Sequence, residues 1–295
     1  MSWNERIIKE FRENNGKVGG MFEGAPMVVL TTAGRRTGKP HTNPAIYLRD
    51  GDRYLVFASN LGNAQHPDWY HNLVAAPQVT MEIGTDEGRV KPFATRAVVL
   101  EGEERDRLYE LQSTLSPAFR EYQEKTTRVI PVVALHALDL STDSDRNRMI
   151  GRQLIIHHEE LRADLAEVRA AVESVLSGGE EARPTPDLTR QLHRRCLSFC
   201  YGLQLHHTRE DGSFTAFEQQ FPHLVPAITK LREEHEVVER KLADLGAVLE
   251  RGLAAEGGDV AALRTELDRV IDGLEAHFAY EEEHLLPALD VPRPS

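Results

Sequence analysis

The period of the hydrophobic pattern changes part-way along the chain. Up to about residue 138, apolar residues come in short β-branched runs parted by turn residues. Beyond about residue 147 they recur every three and four positions over four long segments. In the first part Met27 to Thr32, Thr42 to Leu48, Tyr54 to Ser59, Gln78 to Ile83, Val90 to Leu100 and Val129 to Leu138 read as strands. Asp50-Gly51 marks a hairpin, since this pair tolerates the positive φ angles of a tight turn. Helices are predicted at 3–15, 101–113 and 117–124. Short strands joined by hairpins predict a small closed or half-closed β-barrel with helices packed outside.

The four later segments, at about 147–177, 187–218, 222–253 and 258–288, are parted by Gly178-Gly179 to Pro186, by Phe221-Pro222 and by Gly257-Gly258. Short links between long helices make neighbours antiparallel, which predicts an up-down antiparallel four-helix bundle. The fold class is therefore α+β with two domains, a barrel over 1–141 and a bundle over 142–295. The polar, cap-rich stretch from Asp139 to Asn147 joins them.

The apolar stripes of the bundle are interrupted at matching places. The first runs Leu154, His158, Leu161, Leu165, Val168, and the second Cys196, Phe199, Leu203, His206, Glu210, Phe214. The third runs Ile228, Leu231, His235, Val238, Leu242, and the fourth Val270, Leu274, His277, Glu281, Leu285. Each stripe carries one histidine, and the second and fourth add a glutamate one turn later on the same face. An unpaired charge in a dry core is too costly to be casual. His158 with His206 and Glu210 mirrors His235 with His277 and Glu281, so the pattern predicts a dinuclear metal centre. Each metal would take two histidines, with Glu210 and Glu281 bridging. Imidazole and carboxylate donors favour iron, manganese or zinc over calcium or magnesium, and two irons suit this set best. His157, His207 and His284 lie off the strict stripes and read as outer or surface residues, although His284, two turns after His277, is a possible extra ligand.

Composition narrows the setting. A net charge of −12 with no basic run argues against a nucleic-acid binder. No apolar stretch approaches the ~20 residues that span a bilayer, so no transmembrane segment is expected. The N-terminus lacks the apolar core of a signal peptide, which points to the cytoplasm. Cys196 and Cys200, one helical turn apart, read as reduced thiols lining the core. Nine of the 13 histidines lie from His157 onward, which puts the metal chemistry in the bundle.

The first half carries different chemistry. Gly34-Arg35-Arg36-Thr37-Gly38-Lys39 gathers three cations and two glycines, a composition suited to an anion, because glycine admits close backbone N–H groups and arginine forks onto phosphate oxygens. This loop is followed by Asn43-Pro44, Ala58-Ser59 with Gly62, Pro67-Asp68-Trp69-Tyr70-His71-Asn72-Leu73 and Ala76-Pro77. The series resembles the deazaflavin-dependent nitroreductase family, split β-barrel oxidoreductases that use coenzyme F420 as hydride donor. The resemblance implies that Arg35, Arg36, Thr37 and Lys39 hold the cofactor's phosphate and acidic tail. It implies that Ser59, Asn60 and Gly62 line the loop beside the deazaflavin ring, with Trp69 near it and Tyr122 at the substrate side. Where the family often has a lysine after that serine, this chain has Asn60, which makes FMN the alternative cofactor. No catalytic residue is singled out.

The second half, with His158, His206-His207-Thr208-Arg209-Glu210, Glu234-His235 and His277 to Glu282, resembles the hemerythrin-like HHE cation-binding family. Its carboxylate-rich set departs from the oxygen carriers and implies reactivity towards oxygen, peroxide or nitric oxide. The chain as a whole reads as an F420-dependent oxidoreductase fused to a diiron domain that binds or reduces a small oxidant. In the alternative, the barrel reduces a quinone or nitro compound by itself while the bundle binds or senses iron or oxygen without catalysis. A third reading, favoured by Asn60, makes the chain an iron-binding module with a degenerate barrel.

Overall fold

The computed structural model describes residues 1–140, 144–176, 186–254 and 260–292. By backbone proximity it divides into two compact units. One comprises Met1–Asp139 with Thr208–Ala216, the other Leu140–His207 with Phe217–Ser295.

The chain opens with α1 (Trp3–Glu13). The Ser2 hydroxyl accepts from the Glu5 amide while the Glu5 carboxylate accepts from the Ser2 amide, closing a reciprocal cap. The helix stops two residues before the expected end, because Asn15 and Gly16 turn to positive φ (56° and 86°). A Cβ at Gly16 would stand 2.6 Å from the backbone of Gly84, so only glycine fits there.

Six strands follow: β1 (Met27–Ala33), β2 (Pro40–Asp50), β3 (Arg53–Phe57), β4 (Gln78–Gly84), β5 (Val90–Leu100) and β6 (Val132–Ala137). They close into an antiparallel barrel in the order β1-β2-β3-β6-β5-β4, with β1 and β4 sealing the ring through pairs such as Leu30 with Met81. The last strand inserts between two earlier ones, Ala134 facing Leu55 of β3 and Val98 of β5. It starts later than its apolar run, since the Ile130-Pro131 segment precedes the ladder.

Alternation sorts the strand residues into separate cores. Val28, Leu30, Val56, Val79, Met81, Val133 and Leu135 share one cluster. Met27 and Val29, on the opposite face of β1, bury Ile7, Ile8 and Phe11 of α1. Leu55, Phe57, Val132 and Ala134 bury Leu108, Tyr109 and Phe119, carried by α3 (Gly102–Leu115) and α4 (Ala118–Glu124). A further helix, α2 (Asp68–Ala75), adds Trp69 and Leu73 to the first cluster. The hydrophobic pattern assigns no element there, because eight residues span barely two turns.

The second half folds as α5 (Ser144–Leu176), α6 (Pro186–Gln220), α7 (Val225–Ala254) and α8 (Val260–Leu285). Leu161, Leu165, Val168, Leu192, Cys196, Phe199, Leu203, Val238, Leu242, Leu245, Leu267, Val270 and Leu274 form one shared core drawn from all four helices. Pro222–Leu224 form a single 3-10 turn, so α7 begins three residues later than the predicted segment. The breaks expected at 178–185 and 257–258, and the domain boundary at 141–142, lie outside the described residues. No described helix is long and apolar enough to cross a membrane.

Candidate functional site

The stripe histidines and glutamates converge in the bundle as two adjoining groups. His158, His206, Glu210 and Glu281 form one, His207, Glu210, His235 and His277 the other. Within each, the possible ligand atoms lie within 4.8 Å of one another, and every residue is buried. His158 and Glu281 are 0 % exposed. In the first group the His158 Nε2 stands 3.3 Å from Glu281 Oε2. In the second the ring of His207 stacks on His235 at 4.1 Å, and His277 meets both edge-on at 5.4 and 4.9 Å.

Helical geometry explains why Glu210 belongs to both groups. It lies four residues after His206 and three after His207, so it sits beneath both rings on α6. This corrects the stripe analysis at His207, which is buried and faces inward. A bundle helix buries a face wide enough for two neighbouring residues. The division of histidines is therefore two and three, not two and two, and Glu281 stands with the first group alone. The spacing His207-x-x-Glu210 was the signal available in the sequence. His284 is not in either group: its Nδ1 meets the Tyr280 carbonyl at 2.7 Å and its ring lies 4.0 Å from that of Tyr280. His157 is half-buried and holds to Gln153 instead.

The donor set fits a pair of metal ions. Buried Nε2 of His277 and both carboxylate oxygens of Glu281 make no hydrogen bond. Leaving a buried carboxylate without donors costs several kcal/mol, roughly, unless a cation compensates. Two further carboxylates were not foreseen. Glu282 Oε1 lies 2.7 Å from His158 Nδ1, and Glu234 Oε2 lies 2.8 Å from His277 Nδ1. The His158 contact, with Arg162 behind it, holds the Glu282 carboxyl below its ordinary pKa.

In the barrel, the basic loop is a closed turn. Gly34 N donates to Lys39 O (2.8 Å), Gly38 N to Gly34 O (2.7 Å) and Lys39 N to the Thr37 hydroxyl (3.2 Å). The Arg35 amide donates to Asn72 Oδ1 (3.1 Å), and the Asn72 amide group donates to Thr32 Oγ1 (3.2 Å), tying the loop to α2. These amides are spent inside the fold, so an anion would be met by the exposed side chains of Arg35, Arg36 and Lys39 rather than by glycine N–H groups.

The second loop is held from behind by Arg128. Its guanidinium donates to the carbonyls of Ala58 (3.2 Å), Ser59 (2.7 Å) and Asn63 (2.9 Å) and contacts His66 Nδ1 at 2.9 Å. An arginine can only donate, so His66 Nδ1 accepts and the ring proton resides on Nε2. Burial, with Arg128 and His71 nearby, pushes the His66 pKa down. Asn60, Leu61 and Gly62 all take positive φ, and a Cβ on Gly62 would meet the Tyr122 carbonyl at 2.8 Å. Tyr122 thus adjoins this turn. Trp69, 7 % exposed, belongs to the barrel core. Neither Asn72 nor Arg128 is assigned a role by the sequence, although Asn72 lies in a motif that carries the family resemblance.

Residues 3–137 match a family described as F420H(2)-dependent quinone reductase, and residues 150–293 match the hemerythrin HHE cation binding domain. An F420H(2)-dependent quinone reductase of Mycobacterium tuberculosis is 37 % identical over 129 residues, covering 42 % of this chain and 83 % of that protein. A second protein of the same organism, named for the same activity, is 35 % identical over 116 residues, covering 39 % of this chain and 93 % of its own. The solved structure of an F420-H2 dependent reductase shares 37 % identity with a TM-score of 0.34, covering 38 % of this chain and 94 % of that one. The chain is a member of the F420H(2)-dependent quinone reductase family that carries a hemerythrin HHE domain in its second half.

Proposed function

We propose that this protein oxidises reduced coenzyme F420 in its barrel and binds two irons in its bundle, where a small oxidant such as oxygen, peroxide or nitric oxide is bound or reduced. The observation that carries the reading is the convergence of five histidines and two glutamates in one dry interior, in a chain whose first half has F420 reductase sequence. When bound, reduced deazaflavin supplies a hydride and the iron pair supplies electrons at one-electron steps. The protein's residues supply the rest. Arg35, Arg36 and Lys39 meet the cofactor's anionic tail, with Thr37 and Asn72 fixing the loop they stand on. Ser59, Asn60 and Gly62 form a turn held by Arg128 and adjoined by Tyr122, and these residues would line the deazaflavin ring. His158, His206, Glu210, Glu281, His207, His235 and His277 would hold the metal ions, with Glu210 standing in both groups. Free Cys196 and Cys200 accord with a cytoplasmic setting.

The test is anaerobic mixing of iron-loaded protein with reduced F420. Bleaching of the iron absorption before any acceptor is added is the expected result. Fluorescence titration should show weaker F420 binding for Arg36→Ala, and His206→Ala or Glu281→Ala should lose iron. Retention of both irons in either variant would remove the ligand assignment.

A second reading has its own support. The mycobacterial relatives match only the barrel, which accounts for 83 % and 93 % of their lengths. There the barrel is nearly the whole protein, and here it would reduce a quinone or nitro compound alone, the acceptor gaining a hydride and a proton. An unchanged iron spectrum during F420 oxidation by added quinone would select this reading.

A further inference from the structure

Outside the metal ligands the bundle repeats a second arrangement. His158 Nδ1 faces Glu282 Oε1 at 2.7 Å, and Arg162 Nη1 donates to that same oxygen at 3.3 Å while its Nε donates to Glu275 at 3.0 Å. In the other group His277 Nδ1 faces Glu234 Oε2 at 2.8 Å, and Lys230 Nζ lies 3.4 Å from Glu234 Oε1. Each of these two histidines thus takes its carboxylate from a neighbouring helix, α8 serving α5 and α7 serving α8. Each carboxylate is in turn met by a cation one turn from a member of its own chain of contacts: Arg162 four residues after His158, Lys230 four before Glu234.

The aromatic surroundings fix the same groups. The His158 ring stacks on Phe278 at 4.3 Å, and Arg162 covers that ring at 5.3 Å. Lys230 lies 3.3 Å over Tyr280. The side chain of Glu282 is 11 % exposed and that of Glu234 30 %, so the first pair is the drier.

A carboxylate on Nδ1 has two consequences for a histidine. It keeps the ring proton on Nδ1, leaving Nε2 as the lone-pair nitrogen aimed at the cluster, and it raises the donor strength of that nitrogen. We infer that Glu282 and Glu234 are positioning residues of the metal centre, each anchored by its own cation, Arg162 or Lys230, and each tuning one ion. This rests on the diiron reading above and deepens it.

The two roles of the carboxylate can be separated by substitution. Glu282→Gln keeps an acceptor for Nδ1–H but removes the charge, whereas Glu282→Leu removes both. Metal affinity of the full chain would be measured by competition with a chelator for ferrous iron, and the iron reduction potential by spectroelectrochemistry. The expected loss of affinity is about 10- to 100-fold for Glu282→Leu and smaller for Glu282→Gln. The glutamine variant should shift the potential positive, because an anion that favours the ferric state is gone. Glu234 variants should behave alike at the second ion, and Arg162→Ala should move the potential the opposite way. Circular dichroism and melting of the metal-free variants report folding independently.

Wild-type affinity and potential in Glu282→Gln, with a loss only in Glu282→Leu that follows metal-free stability, would reduce Glu282 to a packing residue and overturn the inference. Wild-type protein that takes up no iron would instead reject the diiron reading itself.

Discussion

Leu61 stands in the left-handed region at φ 55°, ψ 24°, with its side chain 61 % exposed. Such a conformation costs an L-residue roughly 1–2 kcal/mol, and an exposed side chain returns no packing for it. Leu61→Asn is therefore expected to stabilise the barrel by about 0.5–1 kcal/mol, read as a higher denaturation midpoint. A lower midpoint would show that Leu61 is held by contacts after all. The turn persists because Arg128 ties Ser59 and Asn63 together from behind, a link no local pattern discloses, since the residues are about 65 positions apart. The residues proposed to hold metal were more legible. His158, His206, His235 and His277 announce themselves by interrupting apolar stripes. His207 did not, because a strict one-residue stripe excludes a neighbour that the wide interior admits. Glu282 and Glu234 were hidden for a related reason: each is the residue next to a proposed ligand and reaches sideways to another helix.

At the scale of elements, the long helices were the clearest part of the sequence, since a 3.6 period repeated over about 30 residues leaves little room for another structure. The short α2 and the late start of β6 were not, since both depend on partners far along the chain. Among the helices, α6 carries a pH sensitivity of its own. Burial pushes the Cys196 thiol up to about 12 and the Cys200 thiol up to about 11, above the ordinary value of 9.0. In the unfolded chain both would ionise near the ordinary value, so the stability they contribute is complete below about pH 9 and is lost as pH rises through the folded values. Denaturation midpoints measured from pH 7 to 11 should fall above pH 9, and Cys196→Ala with Cys200→Ala should flatten that fall. An equal fall in the double variant would assign it to other groups. Within the folded protein, alkylating reagents at neutral pH should label Cys196 far more slowly than a free thiol.

For the molecule as a whole, the two halves draw their stability from different sources. The barrel relies on apolar cores on both faces of its strands, whereas the bundle places Glu210 and Glu281 in its interior, where a cation is needed to offset their charge. Calorimetry of the iron-loaded protein should lose several degrees from the helical transition on chelation and none from the barrel transition. A uniform downward shift would contradict that separation. The ring of strands has a further bearing on how the protein can fail. With β1 and β4 joined, every strand has a partner on each side along at least part of its length, which shortens the rows of backbone amides that a foreign chain could extend. A nick or truncation that removed β6 would bare β3 and β5 together, so damage there should lead to clumping of chains instead of a slightly loosened monomer.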